Sequence, residues 1–151
     1  MTVTETAGGD AGRKVPVHFW IVAILSLLWN AIGAFDYLAS QLRLEFYMSE
    51  FTEAQLAYFY GFPSWAVAAW AFGVWGSVAG SVGLLLLKKW AVWAFVVSLA
   101  GVAVNSIYTL VLTNGLEIMG EGASIFTAII WVVAIFLLVY ANAMKKRGIL
   151  N

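Results

Sequence analysis

Cysteine is absent from the chain, and histidine occurs once, at His18. Without thiols there is no disulfide, no thiolate metal site and no cysteine nucleophile. One imidazole and scattered carboxylates do not make a zinc or iron site, so neither a metal nor another cofactor is expected. Charge is the second shortage. Only 11% of the residues are charged, against about a quarter in a typical soluble domain. A chain so poor in charge lacks the polar surface needed to face water. Its 151 residues are instead 63% hydrophobic, which places it among membrane proteins.

A helix crossing the hydrocarbon needs about 20 mostly apolar residues. Four segments qualify, at about 17–40, 64–87, 90–112 and 123–144, and the last three carry no charge. Only helices and closed barrels satisfy their backbone in lipid, and runs this long and continuous are helices. The first is too long for a signal-peptide core and no A-x-A-like cleavage site follows it, so it is expected to remain in the mature protein. Basic residues set the orientation. Arg13 and Lys14 precede the first span, Lys88 and Lys89 join the second to the third, and Lys145, Lys146 and Arg147 follow the fourth. All three clusters fall on one side and only Arg43 on the other, so both termini are expected in the cytoplasm. Glu45, Glu50, Glu53, Glu117 and Glu121 lie opposite.

Residues 1–14 read as a disordered polar tail, 15–147 as one transmembrane domain, and 148–151 as a cytoplasmic C-terminal end. In the outer segment, Thr52 and Gln55 form a capping-box pattern for a short helix over about 53–60. Tyr58, Phe59 and Tyr60 crowd that helix. Aromatics favour the headgroup level, so it reads as an interfacial anchor first and as a lid second.

Small residues recur in steps of three and four in the second span (Ala66, Ala69, Gly73, Gly76, Gly80, Gly83) and in the third (Ala91, Ala94, Ser98, Gly101). Such seams let helices approach closely, which drives association where lipid is as apolar as leucine. Folding the hairpin about its two lysines sets Gly83 against Ala94, Gly80 against Ser98 and Gly76 against Gly101. The fold class is therefore all-α: a polytopic membrane protein, an antiparallel four-helix transmembrane bundle with a short extracytoplasmic interfacial helix.

Against this apolar background the stretch WNAIGAFDYL (29–38) stands out. Asn30 falls on a seam near the middle of its span, and Asp36 near the outer end. A charge inside a membrane is costly and is by default a functional hypothesis, with a partner to be found. Tyr37, Asn105, Tyr108, a bound solute and, at the interface, Arg43 are the candidate partners. Trp70 and Trp131 lie at a similar depth. Two readings stand together. Asn30, Asp36, Asn105 and Tyr108 act as interhelical hydrogen-bond glue; or these residues, with Trp29, Tyr37, Trp70 and Trp131, line an outward pocket. Flat rings beside carboxylate and amide groups suit a small, neutral, hydroxyl-rich ligand.

At WNAIGAFDYL, and again at FYMSEFTEAQLAYFYGFPSWAVAAWAFGVWG (46–76), the chain resembles a family of small bacterial four-span integral membrane proteins, some of them labelled sugar transporters. The resemblance covers most of the chain, from the first span to Lys145–Arg147. It implies a multi-pass protein of the bacterial cytoplasmic membrane and a sugar-transport-like role, and it assigns no site residues.

The expected function is thus transport or binding of a small neutral polar solute through the outward cluster. The alternative is a non-transporting accessory or structural subunit of a membrane complex, and a homo-oligomer is compatible with either. An enzyme is not expected, because no paired catalytic groups, metal or activated nucleophile is evident. Nucleic acid is not expected as a partner, since topology and anionic lipid account for the basic clusters.

Overall fold

Backbone satisfaction in an apolar chain favours helix, and helix is what the computed structural model contains, with no strand among the described residues, 14–151. Apart from Lys14, the expected N-terminal tail lies outside them. The elements are α1 (Val17–Gln41), α2 (Glu45–Met48), α3 (Glu53–Tyr60), α4 (Ser64–Leu85), α5 (Trp90–Ser106) with a π-helical continuation over Ile107–Leu112, α6 (Gly115–Met119) and α7 (Glu121–Lys146). Four of these helices are long and apolar enough to cross a membrane: Val17–Gln41, Ser64–Leu85, Trp90–Leu112 and Glu121–Lys146.

Local chemistry sets the boundaries. Extended proline residues, Pro16 and Pro63, stand at the N-caps of α1 and α4. The α3 capping box is formed: Gln55 N donates to Thr52 Oγ1 over 3.2 Å, and Thr52 N donates to Gln55 Oε1 over 3.1 Å. Two orphan donors at the helix start are thereby satisfied.

The α4–α5 hairpin forms, but in a different register from the one expected. Gly83 lies against Ala91, Gly80 against the Phe95 ring, Gly76 against Ser98, and Gly73 against Gly101. Each α4 residue meets its partner about one seam step earlier in α5 than a turn centred on the two lysines implies. The cause is Leu87. It adopts a left-handed conformation (φ 58°) while Lys88 N donates back to Gly83 O over 2.8 Å. The chain therefore reverses before the lysines, and Lys89 already has right-handed helical geometry. Gly80 consequently makes room for an aromatic ring instead of a serine.

The long helices form a row in which α1 packs on α4, α4 on α5 and α5 on α7. Side chains join α1 to α7 at the end holding Lys145–Arg147: His18 Nδ1 and the Tyr140 hydroxyl are 2.7 Å apart, and Phe19 stacks on Tyr140. The main buried cluster sits at this end, including Phe19, Leu84, Phe95, Leu137 and Met144. In α7 the buried residues are Leu137, Ala141 and Met144, all in its C-terminal half. The other half of α7 is loosely packed.

Residues 148–151, read from the sequence as a C-terminal end, complete that core. Gly148 turns the chain with a φ of 75°. Ile149 and Leu150 then enter the cluster, Leu150 with 1% of its surface exposed. Asn151 N donates to Leu87 O over 2.6 Å and Lys89 N donates to Asn151 O over 2.8 Å, tying the end of the chain to the hairpin turn.

Candidate functional site

A cavity of about 640 Å³ lies between α1 and α7, backed by α4 and α5, and at its wall the Trp29 ring of α1 meets the Phe126 ring of α7 with centroids 6.1 Å apart. Its floor is Phe95 and Leu137, part of the buried cluster. Its cover comes from the segments outside the long helices: Tyr47 of α2, Phe51, Tyr58 and Phe59 of α3, Phe62, and Leu116 and Met119 of α6. Glu45, Glu53, Glu117 and Glu121 all belong to this end. The volume lies within the range typical of small-molecule sites.

Five of the residues singled out in the sequence line this space: Asn30, Asp36, Trp70, Asn105 and Trp131. Trp29 does so as well. Tyr37 and Tyr108 lie outside its wall. Tyr37 packs edge-on against Trp70, with ring centroids 5.1 Å apart, and against Trp75. Tyr108 belongs to an aromatic cluster with Tyr58, Phe62 and Trp65. Beyond Ser106 the backbone bonding widens from i+4 to i+5, as in Thr113 N donating to Tyr108 O.

The partner of Asp36 is Tyr47, whose hydroxyl donates to Asp36 Oδ1. None of the candidates from the sequence fills that role. Arg43 points elsewhere, its guanidinium 4.0 Å from the centre of the Tyr60 ring. Burial is the main reason the Tyr47 phenol is held well above its ordinary pKa, with the hydrogen bond and charge of Asp36 acting in the same direction. The group is therefore a lasting donor at neutral pH. Burial also raises the Tyr58 phenol, opposed by its hydrogen bond to Thr113.

Both amides bond from one helix to another. Asn30 Nδ2 donates to Ser81 Oγ over 2.8 Å and to Ser77 O over 3.2 Å. Asn105 Nδ2 donates to Ala66 O over 3.2 Å. Ser98 Oγ donates to Gly73 O over 2.6 Å, and Trp131 Nε1 to Ser106 Oγ over 3.1 Å. Each of these bonds crosses from one helix to its neighbour. Neither asparagine Oδ1 accepts a hydrogen bond from a described residue.

The cover was the part of the site least visible in the sequence. Phe51, Tyr58, Phe59 and Phe62 could be read as headgroup aromatics, yet the chain folds them over the cavity. A continuous aromatic line runs from Tyr47 to Phe51, Phe59 and Trp70, with successive ring centroids 5.5, 5.3 and 6.3 Å apart. The π-helical turn over Ile107–Leu112 had no sequence signal that periodicity could detect. Comparison with known proteins finds no matching family model, no matching curated protein and no matching solved structure.

Proposed function

We propose that this chain is a solute-binding protein of transport-like role in a bacterial cytoplasmic membrane, an antiparallel four-helix bundle with both termini cytoplasmic. In this reading α3 lies at the outer interface as both anchor and lid. The observation that carries it is the asymmetry of packing. The end bearing Lys88, Lys89 and Lys145–Arg147 is filled by the buried cluster, while the end bearing the glutamates encloses the cavity. Positive charge marks the cytoplasmic side, so the cavity is closed inward and faces outward. Aromatic faces and a few polar groups would receive a small solute there, and the sugar-like ligand expected from the sequence fits the space.

A second reading has its own support. The amide and serine bonds between α1, α4 and α5 are the glue that a purely structural or accessory subunit would need. Each such bond contributes on the order of 0.6 kcal/mol inside a membrane protein. Gly33 separates the two readings, because it lines the cavity and a Cβ added there meets nothing within 4 Å. Gly33→Leu should fill the space without disturbing a helix contact. Thermal stabilisation of the purified protein by sugars, polyols and small amphiphiles is the assay. A ligand that raises the melting temperature of the wild type and not of Gly33→Leu supports solute binding. A flat response of both proteins across the panel refutes it and leaves the accessory role.

A further inference from the structure

Four properties of the cavity wall have the same electrostatic sign. First, its only charged side chain is the Asp36 carboxylate, and no lysine, arginine or histidine is among the described residues that line it. Second, among the described residues that carboxylate is bonded only by the neutral Tyr47 phenol, at Oδ1. Third, both amides leave an acceptor in the wall, since neither Asn30 Oδ1 nor Asn105 Oδ1 accepts a hydrogen bond from a described residue. Fourth, the rings of Tyr47, Phe51, Phe59 and Trp70 follow one another along the cover, starting at the carboxylate, the first two contacts edge-on and the third stacked. Aromatic faces carry negative quadrupole density and attract cations within about 6 Å of the ring centre.

An anionic group in apolar surroundings is costly unless a counter-charge accompanies it. Among the described residues, the cavity lining supplies none. Arg43, the one basic residue near the outer end of α1, lies over Tyr60, beside a separate small pocket that reaches Ser40 and Phe59. A ligand that brings positive charge and an apolar body finds in this wall one carboxylate, spare acceptors and aromatic rings.

We infer that the cavity binds a monovalent organic cation, an ammonium group carried on an apolar or aromatic body, with Asp36 pairing the charge and the Tyr47–Phe51–Phe59–Trp70 line covering it. This rests on the solute-binding reading above and narrows it to a chemical class. The ammonium head sits beside Asp36 under the cover, and the body extends along the apolar wall toward Val133 and Leu137.

The test uses the full chain, purified in detergent, and follows the fluorescence of the cavity tryptophans Trp29, Trp70 and Trp131. Two probes of nearly equal shape are titrated: benzyltrimethylammonium, and neopentylbenzene, in which carbon replaces the charged nitrogen. The expected result is saturable binding of the cation, about tenfold or more tighter than its neutral counterpart. Asp36→Asn should bring the two affinities together while the protein still melts cooperatively, and Gly33→Leu should abolish both signals. Equal affinity of the two probes for the wild type overturns the inference without recourse to any variant, so a misfolded Asp36→Asn does not protect it. Retained cation preference in folded Asp36→Asn also overturns it. Glucose or a polyol saturating the signal while the cation does not leaves solute binding in place and removes the cation. No saturable signal with any probe removes both.

Discussion

Replacing Gly101 by alanine adds one methyl group to a helix and should nevertheless weaken the protein. The new Cβ would lie 2.6 Å from Ala69 O and closer still to Gly73 N, both of them backbone atoms of α4 that no rotamer change can move. Restoring ordinary contact requires the two helices to part by about 1 Å, which forfeits roughly a quarter to a half of each dispersion contact along the seam. Overpacking of this kind costs about 1–3 kcal/mol. The bonds on either side, Ser98 to Gly73 at 2.6 Å and Asn105 to Ala66 at 3.2 Å, would lengthen with the seam. Their loss adds about 0.6 kcal/mol each. Against this, alanine is a better helix former than glycine by about 1 kcal/mol. The net expectation for Gly101→Ala is a loss of about 1–3 kcal/mol. Gly33→Ala is the matched control, because its Cβ meets nothing within 4 Å. That substitution keeps only the propensity gain of about 0.5–1 kcal/mol. Reversible denaturation in mixed micelles, comparing both variants with the wild type, measures the difference. Should Gly101→Ala prove as stable as the wild type, or both variants shift alike, the account of α4–α5 packing is wrong.

Leu150→Ala lies outside every span, yet Leu150 is 1% exposed within the buried cluster. It should cost about 2–4 kcal/mol in the same denaturation assay, whereas a free tail would show no change. Alkaline stability follows from Tyr47 and Tyr58, whose phenols are both raised by burial. A raised folded value means that their contribution is fully present below the ordinary phenol pKa of about 10 and is lost as pH climbs toward the folded values. Melting temperatures recorded from about pH 8 to about pH 11 should stay level to about pH 10 and then fall. Tyr47→Phe should reduce the slope of that fall; an unchanged slope would show that this phenol does not couple to folding.

The four spans were legible because hydropathy is a local property. Any window of about 20 apolar residues must satisfy its backbone in lipid as a helix, whatever surrounds it. The α3 capping box was legible for the same reason, since Thr52 and Gln55 settle it between themselves. The sequence also contained the small-residue seams of α4 and α5, and the placement of Asn30, Asp36, Trp70, Asn105 and Trp131 at similar depth. What it did not contain was the consequence of each seam for the others.

Tertiary structure decided the rest. One left-handed residue, Leu87, moved the hairpin register by a seam step. Tyr108 joined the Tyr58, Phe62 and Trp65 rings outside the cavity wall while Asn105 stayed on it. Asp36 found its partner in Tyr47, eleven residues along and outside its own helix. The cavity itself lies beyond the basic end, where His18, Phe19 and Tyr140 join α1 to α7 and Ile149 and Leu150 fill the core; farther along, the two helices meet through the Trp29 and Phe126 rings. Burial of an apolar stretch depends on composition alone, whereas the space between two helices depends on where their contacts are placed, and contacts are made only once the chain is folded.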